Sequence, residues 1–154
     1  MRPPQPDSCA TVNAIADLLS DFEVLDDWED RYKHVIELGK GLPPLPEADH
    51  SAENKVRGCA SQVWITSSVD ATAGEPILTF RGDSDALIVK GLIAIAFLIY
   101  SGKPAREILA TDAGEILGKL GMSGHLTQQR SNGFASMIQR IKADAQAALQ
   151  ASSN

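Results

Sequence analysis

Cysteine and histidine are scarce in this sequence, which has two cysteines and three histidines among its 154 residues. They form no CxxC, HExxH or His-x-His spacing, whereas a tetrahedral zinc or iron–sulfur site takes about four nitrogen or sulfur ligands. We therefore expect no metal site. With only Cys9 and Cys59, the chain also has no disulfide framework, and the pattern does not favour a bond between the two.

Nucleotide-binding glycine motifs, an apolar run of membrane-spanning length and an excess of basic residues are also missing. The most apolar segment, 86–100, is too short to span a bilayer as a helix and carries Lys90. The N-terminus lacks the apolar stretch of a signal peptide. A formal net charge of −6 argues against nucleic acid or an anionic membrane as a partner. These absences predict a cytoplasmic protein whose thiols stay reduced.

What the sequence does contain is the pattern of one compact domain, 1–154, whose ends, about 1–9 and 150–154, we expect to be flexible. Apolar residues make up 44% of the chain, which is enough for a core without disulfides. Strand-like segments occur in a single block with helical segments on either side. This order predicts the α+β class, with a small antiparallel three-stranded sheet packed against several helices.

Helical periodicity recurs along most of the chain. It predicts amphipathic helices over 10–25 and 28–42, the second capped by Asp26 or Asp27. The expected buried stripe of the second helix is Trp28, Tyr32, Val35 and Ile36. The run 86–102 is apolar nearly all round, so we expect it to be the buried spine, capped by side chains of the preceding GDSD sequence. Two short helices follow, and a final helix after Gly124 has the stripe Phe134, Met137, Ile138 and Ile141.

The strand signals lie between the second helix and the apolar spine. SQVWITSSVD (61–70) and ILTFRG (77–82) are rich in β-branched and aromatic residues and predict a hairpin. The short piece KVR (55–57) is the candidate for a third, antiparallel strand. A loop with three prolines precedes it, and loops of that length in a compact domain are often functional.

Cys59, in the stretch KVRGCASQVWI (55–65), is the candidate for chemistry. Gly58 permits a sharp turn, and the cations of Lys55 and Arg57 would favour the thiolate form of a neighbouring cysteine. The alternative is that Cys59 is a small buried apolar residue at the start of a strand, as free cysteines usually are. Local features leave both interpretations open.

A Cys–His hydrolase or transferase acting on a small molecule is the sharper enzyme hypothesis. It requires a histidine base, for which His125, at a loop-to-helix junction, and His50, in the proline-rich loop, are the candidates. No sequence feature ties either histidine to Cys59, and each is also explained as a surface residue. A third hypothesis is a non-catalytic interaction module in which Cys59 is structural.

Four blocks in register decide between these hypotheses by resemblance. WEDRYKHVIELGKGLP, NKVRGCASQVWI, GDSDALIVKGLIAIAFLIYSGK and LTQQRSNGFASMIQRIKA together resemble the SufE family, from about Asp27 to Ala143. Members of that family accept sulfur from a cysteine desulfurase and support iron–sulfur cluster assembly. The resemblance implies an α+β fold related to the IscU-type scaffold. This chain lacks the further cysteines that a cluster scaffold needs, so the kinship of fold does not imply cluster binding.

The resemblance also assigns roles to residues. The cysteine that takes the sulfane sulfur as a persulfide corresponds to Cys59. The residues expected to support its turn are Arg57, Gly58, Ser61 and Gln62. Possible partner-docking residues are Asp85, His125 and Arg130, although Asp85, like Asp83, is also explained as a helix cap, and Arg130 as a surface arginine.

The implied partner is a SufS-like or CsdA-like cysteine desulfurase, which uses pyridoxal phosphate, while this chain needs no cofactor of its own. The protein would stimulate that enzyme and pass sulfur to a downstream recipient or cluster scaffold. It would thus be a sulfur-transfer accessory protein rather than an independent enzyme, and a monomer or weak homodimer. The resemblance does not say which desulfurase it serves.

Overall fold

Six α-helices and a three-stranded antiparallel sheet make up the fold in the computed structural model, which confirms the predicted α+β class. The structure describes residues 8–25, 27–58, 61–72, 74–122 and 124–152, with side chains from Ala16 to Ala151. The helices are α1 (Ser8–Val24), α2 (Trp28–Lys40), α3 (Leu87–Tyr100), α4 (Ala105–Ala110), α5 (Ala113–Lys119) and α6 (Gln128–Ser152). The strands are β1 (Val63–Asp70), β2 (Ile77–Ser84) and β3 (Lys103–Pro104), and a short 3-10 helix spans Glu47–Asp49.

Helix α3 is the buried spine that its all-round apolar sequence predicts. Nine of its 14 residues are buried, and Leu92, Ile93 and Ile95 have no exposed surface. Each such side chain stabilises the fold by about 1.5–3 kcal/mol relative to an exposed one. Tyr100 ends the helix inside the core, where its hydroxyl donates to the Thr111 carbonyl oxygen at 2.8 Å and burial raises its pKa to about 12.

Helix α2 crosses α3 at two glycines, which lets the backbones approach closely. A Cβ added to Gly39 would stand 2.6 Å from the backbone nitrogen of Gly91, and one added to Gly91 would overlap the carbonyl oxygen of Val35. Of the stripe predicted for α2, Val35 is buried, whereas Trp28, Tyr32 and Ile36 are half-buried. The N-cap is Asp27, one of the two predicted caps, whose side chain accepts from the Glu29 N–H.

The sheet has the order β1-β2-β3, with Val63 opposite Ser84 and Asp70 opposite Ile77 in the hairpin. The third strand is not the KVR piece, as the sequence suggested, but Lys103–Pro104, which pairs with Leu78 and Ile77 of β2. Lys55 forms only an isolated bridge to Trp64. Proline donates no backbone hydrogen bond, which suits it to this short strand at the sheet edge.

The expectation that the GDSD sequence caps α3 is wrong. Asp83 and Ser84 belong to β2, and the N-cap position is Ala86, which has no capping side chain. Asp83 is held instead by His50 and Lys90, and Asp85 by the backbone of Gln62. Strand β2 therefore ends at Ser84, two residues beyond the predicted end at Gly82.

Helix α6 packs the stripe predicted for it, with Phe134, Met137 and Ile141 buried and Ile138 half-buried. Both terminal helices extend into the segments predicted to be flexible, since α1 begins at Ser8 and α6 ends at Ser152. Within the described part of the chain, none of these helices has both the length and the apolar character to cross a bilayer.

Candidate functional site

The stretch that contains Cys59 connects two short segments whose backbones are hydrogen-bonded to each other. The Val56 N–H donates to the Val63 carbonyl oxygen at 2.8 Å, and the Ile65 N–H donates to that of Asn54 at 2.9 Å. Cys59 and Ala60 themselves lie outside the described residues, as does the side chain of Cys9. We refer to residues 57–62 as the cysteine turn. These hydrogen bonds join the residues just before the turn to the first residues of β1, so that the chain is held in place on both sides of the turn.

Gly58 lies near the start of the cysteine turn and has a backbone conformation that favours glycine. Its φ of +91° lies in the left-handed region that glycine adopts without steric cost. A Cβ at this position would also stand 2.5 Å from the Ser136 hydroxyl oxygen of α6. The sequence indicated the permissive backbone, but not that α6 passes this close to the turn.

Asp85 fastens the other end of the turn. Its carboxylate oxygen Oδ1 accepts from the Gln62 N–H at 3.1 Å, and its own N–H donates to the Gln62 carbonyl oxygen at 3.3 Å. This reciprocal pair joins the turn to the connection between β2 and α3. Asp85 is therefore in direct contact with a predicted turn residue, although it does not cap the helix.

A cavity of about 200 Å³ opens between the cysteine turn, the start of α3 and the start of α6. Its polar wall includes Ser61 and Arg130, and its apolar wall includes Val89, Leu92 and Met137. The structure thus brings the predicted docking residue Arg130 next to the predicted turn residue Ser61. Sequence spacing gives no sign of this proximity, because the two residues lie on separate elements.

A second surface next to the turn carries positive charge. Arg57 is exposed and lines an open groove together with Lys55 and Arg140. Arg140, whose Nη2 donates to the Ile65 carbonyl oxygen at 3.4 Å, had not been identified from the sequence. The turn therefore borders both a partly apolar cavity, at Ser61, and a cationic groove, at Arg57.

His125 does not line either of these two surfaces. Its ring stacks on that of Trp28 with centroids 3.7 Å apart, and its carbonyl oxygen accepts from the Tyr32 hydroxyl. It therefore packs on the N-terminal part of α2. Its contacts among the described residues do not connect it with Asp85 or Arg130.

His50 is occupied by structural contacts at both ring nitrogens. Nε2 lies 2.8 Å from Asp83 Oδ2, and Nδ1 lies 3.1 Å from the Pro46 carbonyl oxygen. The hydrogen bond with Asp83 raises the pKa of His50 above its usual value of 6.5. Because an acceptor oxygen lies at each ring nitrogen, His50 presents no free lone pair to a substrate, which makes it a poor general base.

Exposed apolar surface is a feature of the site that the sequence had not singled out. Leu87, at the start of α3 and two residues after Asp85, has 59% of its surface exposed.

No set of three or more histidine, cysteine, aspartate or glutamate residues with a geometry for holding a metal ion occurs in the part of the chain that the structure covers.

The sequence matches a protein-family model and is similar to known proteins. Residues 16–145 match the model of the SufE family, described as an Fe-S metabolism associated domain. An uncharacterized SufE-like protein of Rhizobium meliloti is 52% identical over 140 residues, which is 91% of this chain and 100% of that protein. One from Rhizobium etli is 56% identical over 128 residues, or 83% of this chain and 86% of that protein.

A solved structure has the same fold. The solution structure of a hypothetical protein from Thermus thermophilus matches with a TM-score of 0.69, covering 91% of this chain and 96% of the other. The two sequences are 19% identical. At that level the likeness concerns the fold alone.

Proposed function

Because the chain belongs to the SufE family of proteins associated with iron–sulfur metabolism, we propose that it accepts sulfur from a cysteine desulfurase on Cys59 and passes it to a downstream recipient in cluster assembly. The observation that carries the proposal is the cysteine turn, which is fixed at both ends and flanked by a cavity and a cationic groove. Such a turn presents a residue to another molecule while its base stays in place.

The transfer is an exchange between a thiolate and a persulfide. The Cys59 thiolate attacks the outer sulfur of the persulfide on the desulfurase, and a new S–S bond forms. The bond between the outer and inner sulfur atoms breaks, and its electron pair leaves with the inner sulfur as the thiolate of the enzyme. Cys59 then carries the persulfide, and no sulfide is released. The pyridoxal phosphate that generates the first persulfide belongs to the partner.

The neighbouring residues have distinct roles in this proposal. Gly58 provides the left-handed backbone of the turn, and the Arg57 cation favours the thiolate. Ser61 lines the cavity, and Gln62 fastens the turn to Asp85. Because persulfides are readily oxidised, we propose that the turn shelters the loaded sulfur against the apolar body and moves outward when the desulfurase docks.

The docking surface proposed here includes Asp85, which is hydrogen-bonded to Gln62 of the turn, and Arg130, which lines the same cavity as Ser61. The exposed Leu87 adds an apolar contact beside Asp85. His125 stays a predicted member of this surface, and its stacking on Trp28 would place any contribution at its margin. With both ring nitrogens of His50 engaged, no observation favours the Cys–His hydrolase.

Mass spectrometry tests the proposal directly. The protein is incubated with a cysteine desulfurase and free cysteine, and its intact mass and the desulfurase rate are measured. We expect a gain of one sulfur atom and a faster desulfurase. Cys59→Ser should abolish both effects, whereas the matched control Cys9→Ser should retain them.

Two results would contradict this function. One is a wild-type protein that gains no sulfur and does not stimulate any of several desulfurases, including SufS-like and CsdA-like enzymes. The other is sulfur found on Cys9 instead of Cys59. Turnover of a small-molecule substrate without any desulfurase would indicate a hydrolase or transferase instead.

A further inference from the structure

The groove beside Gly58 is lined by more cations than the composition of the chain suggests. Lys55, Arg57 and Arg140 face it together with a single carboxylate, that of Glu53. The chain as a whole has 14 basic and 20 acidic residues, for a net charge of −6. This excess of positive charge is therefore local, and it lies directly against the cysteine turn.

Two of the three cations are uncompensated. Lys55 and Arg57 are exposed and make no ion pair with any residue that the structure describes. Arg140 is held in place, since its Nε lies 3.4 Å from Asp144 Oδ1 and its Nη2 donates to the Ile65 carbonyl oxygen. The groove thus combines one fixed guanidinium with two cations available to a partner.

The shape of the groove favours a macromolecule over a small ligand. Its volume of about 490 Å³ is open to solvent, and Glu53, Lys55 and Arg57 on its rim are all exposed. A small-molecule site, by contrast, encloses most of the surface of its ligand. An open, positively charged surface suits a segment of protein that carries carboxylates.

We propose that this groove docks an acidic segment of the cysteine desulfurase, and this proposal rests on the function proposed above. Carboxylates of the partner pair with Lys55 and Arg57, while Arg140, which is paired with Asp144, lines the same groove. Opposite charges at the rim of an interface mainly accelerate association and make it sensitive to salt. The contact would bring the desulfurase against the part of the cysteine turn that begins with Arg57.

Charge reversal tests the groove. The variants are Lys55→Glu and the double change Lys55→Glu/Arg57→Glu, and the matched control is Lys33→Glu/Arg106→Glu. Lys33 on α2 and Arg106 on α4 are exposed and line neither the groove nor the cavity. Association with a desulfurase is followed on a biosensor at roughly 0.05 M and 0.5 M salt, where the screening length differs about three-fold.

We expect the double variant to associate roughly ten-fold more slowly than wild type at low salt and the single variant to fall between them. The difference should shrink at high salt, and the control should stay within about two-fold of wild type. Lys55→Glu leaves Arg57 in place, so its effect is independent of the role of Arg57 at the thiol. Thermal unfolding of each variant verifies that it is folded.

Equal association rates for the groove variant and its control would overturn the docking proposal, as would a difference that salt does not reduce. Sulfur loading of Cys59, measured by intact mass, keeps this result separate from the proposed function. If wild type gains sulfur but the charge reversals change nothing, the docking proposal alone fails. If wild type associates in a charge-dependent way but gains no sulfur, the proposed transfer fails and the docking surface stands.

Discussion

Asp83 fastens the proline-rich loop to the sheet. It accepts from His50 of that loop at 2.8 Å and from Lys90 of α3 at 3.3 Å, and its Oδ1 accepts from the Ser84 N–H. His50 also packs edge-on against Trp64, with ring centroids 4.6 Å apart. Since both acceptors around the His50 ring lack protons of their own, the geometry selects the doubly protonated imidazolium.

We predict that His50 titrates above 6.5 and stabilises the fold in a defined pH window. The Asp83 hydrogen bond raises the pKa of His50, so its contribution is complete below pH 6.5 and disappears as the pH rises through the raised value. Burial raises the pKa of Asp83, but hydrogen bonds from His50, Ser84 and Lys90 outweigh it and hold the pKa below 3.8. Both contributions are therefore complete from pH 3.8 to 6.5.

Proton NMR of the His50 ring checks this prediction, with Asp83→Asn as the comparison. The variant should lower the pKa of His50, and the melting temperatures of wild type and His50→Gln should converge above the folded pKa. A His50 pKa at or below 6.5 in the wild type would contradict the prediction.

Asp83 and Asp85 also show what the sequence predicts poorly. Two acidic residues just before an apolar helix are typical of caps, and that local pattern does not reveal a loop folding over from residues 46–62. The expected position of the helix start near the hairpin nevertheless makes Asp85 a possible docking residue. The role of Cys59, by contrast, follows from the family resemblance, because its immediate neighbours are compatible with packing and with chemistry.

The crossing of α2 and α3 leads to a prediction about Gly91. We expect Gly91→Ala to lower the free energy of unfolding by about 1–3 kcal/mol, as overpacking of a tight core does. The added methyl group would overlap backbone and side-chain atoms of Val35, and a backbone cannot move aside as a flexible side chain can. This cost exceeds the helix propensity of about 1 kcal/mol that alanine gains over glycine.

Urea-induced unfolding measures the effect. Gly124→Ala is the matched control, because its methyl group would meet no atom within 4 Å, and its change should stay within about 0.5 kcal/mol. A Gly91→Ala protein as stable as wild type would mean that the helices separate without cost.

The helices and the hairpin were predictable because each carries its own period of apolar residues. α3 and the stripe of α6 emerged with the correct buried faces. The short strand β3 was not predictable, because two residues cannot display a period and Lys103–Pro104 resembles a helix start. The close approach of α2 to α3 at Gly39 was not predictable for another reason, since a glycine near a helix end also suggests a C-cap.

On the scale of the whole molecule, the buried helix α3 and the cysteine turn should differ in how fast their amide protons exchange. Hydrogen exchange measures this difference. We predict that α3 amide protons exchange slowest, because the helix is buried on most sides. Binding of a desulfurase should change exchange over residues 55–62 and leave the buried part of α3 unchanged, since the proposed outward movement involves only the turn. Exchange followed by mass spectrometry, with and without the enzyme, supplies the measurement.

Cys59→Ser serves as the control for this experiment, because it keeps the turn and prevents sulfur loading. Identical exchange of residues 55–62 in free and bound protein would exclude the outward movement. A change that extends throughout α3 would indicate global loosening instead.

The hydrogen bonds at the edge of β1 limit how far such a turn can travel. β2 covers one side of β1, and on the other side Asn54 and Val56 pair with Ile65 and Val63. If movement of the turn detached these residues as well, it would uncover an open strand edge, which is a template for aggregation with other chains. The proposed outward movement is therefore limited at Val56, because a movement that extended beyond this residue would expose the edge of β1 to self-association.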